Sequence, residues 1–158
     1  IVETVREIVD ALKPTRTFWT VETMPWIYPD SPDSYLDMLR AIDRDRVAVH
    51  LDPVNMISSP RRYCDTRGFL RECFAKLGPR IKSCHAKDIV MQGGPGNISF
   101  HLDEVVPGEG NLDYVAYLTE IDKLARDLPL MLEHFDVAGY RKGLAHIKRV
   151  AMAAGVEV

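Results

Sequence analysis

Four short runs rich in β-branched or aromatic residues punctuate this chain: TFWTVE at 17–22, RVAVHL at 46–51, IKSCH at 81–85 and LPLML at 128–132. Between them lie stretches whose apolar residues recur at helical spacing. A strand repeats every two residues and a helix every 3.6, so the patterns are not interchangeable and their alternation predicts βα units. Strands joined through crossover helices run parallel, with the helices lying over the sheet. The first helix is carried by Ile1, Val5, Ile8 and Leu12 and stopped by Pro14. The second follows Asp33 as a cap, uses Tyr35, Leu36, Met38, Leu39 and Ile42, and ends near Asp43. A third is expected over 63–77 and is ended by Gly78-Pro79, a fourth begins at Asn111 and uses Tyr114, Leu118, Ile121 and Ala125, and a last one covers about 141–153. Residues 89–112 hold Gly93-Gly94-Pro95-Gly96 and Pro107-Gly108-Glu109-Gly110, which reads as a long loop with a small hairpin at 98–102.

At 158 residues and 46% hydrophobic content the chain suffices for one packed core, so residues 1–158 are expected to form a single domain. The fold class expected is α/β: a (β/α) barrel of the TIM type, present as about four βα units. A closed eight-stranded barrel needs about 250 residues, which makes this a half-barrel, specifically the C-terminal half. A small open α/β sheet is the alternative that the length permits. A half-barrel leaves two parallel edges, at 17–22 and 128–132, and unpaired edges seek partners. Pairing with a second copy as a homo-oligomer, or an exposed apolar edge, is therefore expected.

The charge balance, Lys+Arg 20 against Asp+Glu 23, gives a formal net charge of −3, and no basic run exceeds Arg61-Arg62. Nucleic acid is thus disfavoured as a partner. Cys64, Cys73 and Cys84 are odd in number and lack C-x-x-C spacing, which suits free thiols in a reducing compartment. No apolar run is long enough to span a bilayer and no signal-peptide pattern opens the chain, so a cytoplasmic protein is expected.

Each strand ends in, or is followed at once by, a good metal ligand: Glu22, Asp52, His85 and Glu133. One acid at a strand end is ordinarily a loop residue or a helix cap, and one His is ordinarily structural. Four at the same topological position carry more weight, because parallel strands deliver their C-terminal ends to a single face. Three carboxylates and an imidazole suit Mn, Mg, Co or Zn, and a cation would offset their mutual repulsion. Period-two alternation places Thr20, His50, Ser83 and Met131 one layer deeper on the same face, with His50 expected to support the ligands. Trp26, on the loop after the first strand, is a candidate substrate contact or simply a core or edge aromatic.

The segments WTVET, VAVHLDPVN, SCHAKD, VVPGEGNLDY and LMLEH, in this order and spacing, resemble the C-terminal half of the xylose-isomerase-like barrel family. That family includes sugar epimerases, hydroxypyruvate isomerase, inosose dehydratase and endonuclease IV. The resemblance implies that Glu22, Asp52, His85 and Glu133 bind one divalent cation and that Glu22 and Glu133 double as the acid/base pair. It implies isomerisation or epimerisation of a small sugar, polyol or keto-sugar by proton transfer next to a carbonyl, through an enediolate. Lys87, in the HAKD match, is expected to contact substrate oxygen. Epimerases and endonucleases of this type usually carry His three residues after the metal-binding Asp; here that residue is Asn55, which can bond a sugar hydroxyl but is a poor metal ligand. An inosose-type dehydratase and an endonuclease IV-like phosphodiesterase are the alternatives, and Asn55 weakens the second more. A non-catalytic sugar-binding domain is the remaining reading.

Overall fold

The computed structural model describes residues 1–93, 101–124 and 127–157. In chain order the elements are α1 (Val2–Leu12), β1 (Trp19–Glu22), α2 (Pro32–Ile42), β2 (Val47–Leu51), α3 (Pro53–Met56), α4 (Pro60–Cys64), α5 (Thr66–Leu77), β3 (Ile81–Ala86), β4 (Asp88–Gln92), β5 (His101–Val105), α6 (Tyr114–Asp122), β6 (Leu130–Leu132) and α7 (Val137–Ala154). Strands β1, β2, β3 and β6 form a parallel sheet in that order. All four strands read from the sequence are present, three trimmed to their hydrogen-bonded part and β3 extended by one residue to Ala86, and the α/β half-barrel architecture stands.

Local chemistry explains where the helices begin. Ser31 caps α2 by a reciprocal pair of bonds with Ser34, and Pro32 supplies the preset φ of a first helical residue, so the helix starts before the expected Asp33 cap. Asp113, not Asn111, caps α6 through the N–H of Ala116; Asn111 instead donates its amide to the Tyr63 carbonyl. The expected helix over 63–77 is two helices, α4 and α5, because Asp65 leaves helical geometry and caps α5 through the Gly68 N–H.

The stretch expected as a long loop is largely an antiparallel ribbon, with β4 and β5 paired from Asp88↔Val105 to Gln92↔His101. Positions 98–100 of the expected hairpin and Ala125 of the expected helix stripe lie outside the described residues. Asp88, 1% exposed, fixes the ribbon's base: its carboxylate accepts from the backbone N–H groups of Ile89, Gly108, Gly110 and Leu112. Gly110 is required there, since a Cβ would fall 2.4 Å from Asp88 Oδ1.

The core lies between one face of the sheet and the helices. Val47, Val49, Leu51 and Cys84 point into it against Met38, Ile42, Leu70, Cys73 and Tyr117, all essentially inaccessible. The buried Tyr35 hydroxyl donates to the Val21 carbonyl, tying α2 to β1. The opposite face bears Thr20, Glu22, His50, Asp52, Ser83, His85, Met131 and Glu133. On the helix-covered side, at the β6 edge, a groove of about 960 Å³ between α6, β6 and α7 is lined by Leu118, Ile121, Leu130, Leu132, Leu144 and Ile147. Among the described residues no helix is long and apolar enough to cross a membrane.

Candidate metal centre

Parallel pairing aligns the strand ends, and the side chains of Glu22, Asp52, His85 and Glu133 converge there. One ligand atom from each lies within 4.8 Å of the others. Nδ1 of His85 is the hub: Glu22 Oε1 stands 3.1 Å away, Asp52 Oδ2 3.3 Å and Glu133 Oε2 3.4 Å. Asp52 is wholly buried and capped into place, accepting the Asn55 N–H at 3.1 Å as the N-cap of α3. His50 sits beneath, its ring edge-on to His85 at 4.1 Å between centroids and its Nδ1 bonded to the Ser83 hydroxyl. The period-two argument therefore holds for His50 and Ser83, and Glu22, His50 and His85 form a second group with metal-ligand spacing.

Lys87 is 2% exposed and lies inside the cluster, with Nζ 2.6 Å from Glu133 Oε2, 3.0 Å from Asp52 Oδ2 and 3.3 Å from Glu104 Oε2. Asn55 is also buried; its amide donates to the Thr23 carbonyl at 2.9 Å and to Glu22 Oε1 at 3.3 Å. Trp26 is on the turn after β1 and is 75% exposed, outside this donor group. Two residues of the centre were given no role from the sequence, although His134 closes the LMLEH segment. Glu104 comes from β5, and His134, with φ 64, places Nδ1 3.3 Å from both Glu104 oxygens. HLDEV at 101–105 gives no period-two signal that could have flagged Glu104, since its apolar residues Leu102 and Val105 are three apart.

The electrostatics follow from burial and charge. Burial, reinforced by Glu133 and Asp52, raises the Glu22 carboxyl above the usual glutamate value despite His85. Burial opposes ionisation of Asp52 and Glu133 too, but there His85 and Lys87 prevail and both are held low. His85 is burdened by burial yet raised above 6.5 by its bond to Asp52 and the charge of Glu22. Lys87 is likewise desolvated but raised by Asp52 and Glu133. His50, buried and next to His85, is pushed down to about 4.

These residues fit a divalent cation. Glu133 Oε2 is buried and makes no well-angled hydrogen bond, although Lys87 stands beside it. Carboxylates of Asp52, Glu104 and Glu133 surround the Lys87 ammonium and that of Glu22 faces His85, so among these residues negative charge exceeds positive unless a cation joins them. The hard and borderline donor set suits Mg, Mn, Co or Zn.

A family model described as xylose isomerase-like TIM barrel matches residues 1–150. This corrects the expectation of a likeness confined to the C-terminal half, because the matched domain runs over nearly the whole chain. A search of curated proteins finds no match. Among solved structures, a xylose isomerase-like TIM barrel protein from Mycobacterium smegmatis in complex with magnesium is 19% identical, with TM-score 0.71, covering 97% of this chain and 50% of that one. The probable 3-DHS dehydratase AsbF of petrobactin synthesis from Bacillus anthracis is 20% identical, with TM-score 0.69 over 96% and 55%. D-Psicose 3-epimerase with D-tagatose from Clostridium cellulolyticum H10 is 17% identical, with TM-score 0.59 over 97% and 52%. The chain thus spans about half the length of the structures it matches.

Proposed function

The chain belongs to the xylose isomerase-like TIM barrel family, and from that premise we propose that it forms the metal-binding part of a divalent-metal-dependent isomerase or epimerase acting on a small sugar, polyol or keto-sugar. The observation that carries this reading is the convergence of Glu22, Asp52, His85 and Glu133 on one point. A divalent cation bound there supplies Lewis-acid polarisation of a substrate carbonyl and its neighbouring hydroxyl. Asp52 and His85, buried on the central strands, hold the position. Glu22 and Glu133 retain 32% and 28% side-chain exposure, so they can reach a substrate from opposite edges of the sheet. One takes the proton from the carbon next to the carbonyl and the other returns a proton, giving epimerisation or isomerisation. Asn55 orients Glu22, Lys87 offsets negative charge near the reacting oxygens, and Trp26 offers an exposed aromatic face to a sugar ring.

Dehydration of an inosose-like substrate shares the first proton removal and ends with loss of hydroxide rather than return of a proton. A phosphodiesterase reading is less favoured, since Asn55 occupies a position where a further metal ligand would be needed and the net charge is −3. We also propose residues 1–158 as one domain in a reducing, cytoplasmic setting. Its β1 and β6 edges accept further strands, from a second copy or from more of the same polypeptide; light scattering of the purified chain tests the homo-oligomer. Calorimetric titration with Mn²⁺ tests the centre itself. One ion per chain is expected, whereas a three-metal stoichiometry or salt-sensitive DNA binding would favour the phosphodiesterase, and no binding would remove the catalytic reading.

A further inference from the structure

Asp52 Oδ2 and Glu133 Oε2 both face His85 Nδ1, at 3.3 and 3.4 Å, and are the oxygens that the proposed ligand set would offer to a cation. The same two oxygens face the Lys87 ammonium, at 3.0 and 2.6 Å. A metal bonds carboxylate oxygen at about 2.0–2.4 Å, so it would compete with Lys87 for those lone pairs and set a double positive charge beside a buried ammonium. Lys87 is 2% exposed and cannot escape its charge into water cheaply. Its third contact lies outside the four ligands: Glu104 Oε2, at 3.3 Å.

Glu104 is well placed to receive it. It projects from β5, the outer strand of the ribbon that begins at Asp88, the residue after Lys87. Asp88 clamps the Gly108, Gly110 and Leu112 backbone to that starting point, which keeps β5 over the cluster. His134 also holds Glu104, its Nδ1 3.3 Å from each oxygen, and stands 3.6 Å from Glu133 Oε2. A lysine suits this geometry, because a compact ammonium on a flexible stem can change partners over a short distance.

We infer that Glu104 is a positioning residue of the metal centre, which receives the Lys87 ammonium when a divalent cation takes its place between Asp52 and Glu133. This rests on the proposed four-ligand site. In the metal-free chain Lys87 holds the carboxylates together; with the cation bound, Lys87 pairs with Glu104 and the ligand oxygens are released to the metal.

The test is Mn²⁺ affinity by calorimetry, with metal-free melting temperature measured in parallel, for the parent chain, Glu104→Gln, Glu104→Asp, Lys87→Met and the Lys87→Met/Glu104→Gln double variant. Glu104→Gln should bind Mn²⁺ at least about tenfold more weakly while melting close to the parent without metal, and Glu104→Asp should recover most of the affinity. In the Lys87→Met background, Glu104→Gln should have no further effect, because the ammonium it serves is gone. Unchanged affinity in Glu104→Gln overturns the inference, and so does an equal loss with and without Lys87, which would make Glu104 act on the metal directly. Should Lys87→Met fail to fold, the Gln and Asp variants decide alone, an Asp variant as weak as the Gln counting against it. A parent chain that takes up no Mn²⁺ sinks the four-ligand reading instead, a result distinct from these.

Discussion

The central strands β2 and β3 and the outer strands β1 and β6 contribute to the same cluster on different terms. Asp52 and His85, from the middle, are 0% and 8% exposed and are locked by the α3 cap and by the His50–Ser83 layer beneath. Glu22 and Glu133, from the edges, keep roughly three times the side-chain exposure of His85. The edges also differ from each other: burial and neighbouring carboxylates raise Glu22, whereas at Glu133 burial is outweighed by Lys87 and His85 together, which hold it down. A parallel sheet buries its middle on both faces and leaves its borders wetter. In the proposed site, rigid anchoring and access to substrate are thereby separated within one group of candidate ligands.

The sharpest way to break this contrast is at the centre. Asp52→Asn should reduce Mn²⁺ affinity by on the order of 100-fold or more and, by leaving the Lys87 ammonium short of a buried partner, destabilise the chain by about 3 kcal/mol. Titration calorimetry and chemical denaturation would check both, and parent-like values in each would contradict an anchoring role. At the edge, Glu133→Gln should alter folding stability by less than about 1 kcal/mol yet abolish solvent-proton exchange into a keto-sugar by the intact catalytic unit. Deuterium incorporation followed by NMR measures the second effect; undiminished exchange would take Glu133 out of the chemistry.

A pH series sharpens the comparison further. Because the folded His85 is raised above 6.5, its contribution to metal-free stability is fully present below 6.5 and fades as pH rises through the higher folded value. Metal binding must expel that proton, so Mn²⁺ affinity should climb by up to tenfold per pH unit over the same interval and then level off. An affinity flat from pH 6 to 8 would be inconsistent with His85 as a ligand. The smallest effect belongs to Trp26→Ala, which at 75% exposure should change stability by less than about 0.5 kcal/mol. If it stacks on the substrate it should still weaken sugar binding severalfold; identical binding would leave it a surface aromatic.

Much of this was legible along the chain. The four parallel strands and their helices follow from period and composition, and the clustered Glu22, Asp52, His85 and Glu133 from their shared position at strand ends, since β-structure sends every second side chain to one face. His50 was legible for the same reason. The ribbon of β4 and β5 was not, because five-residue strands flanking a glycine-rich stretch give too short a pattern to outweigh the turn signal.

The sequence by itself determined the alternating architecture and the identity of the candidate metal donors, both of which depend on local periodicity and on where each strand stops. Only the tertiary structure decided that Lys87 would be buried among carboxylates, that Asn55 would turn to Glu22, and that Glu104 and His134 would join the site. Those partnerships arise between residues far apart in the chain, where desolvation and charge compensation depend on distances in space. No spacing along the sequence encodes them.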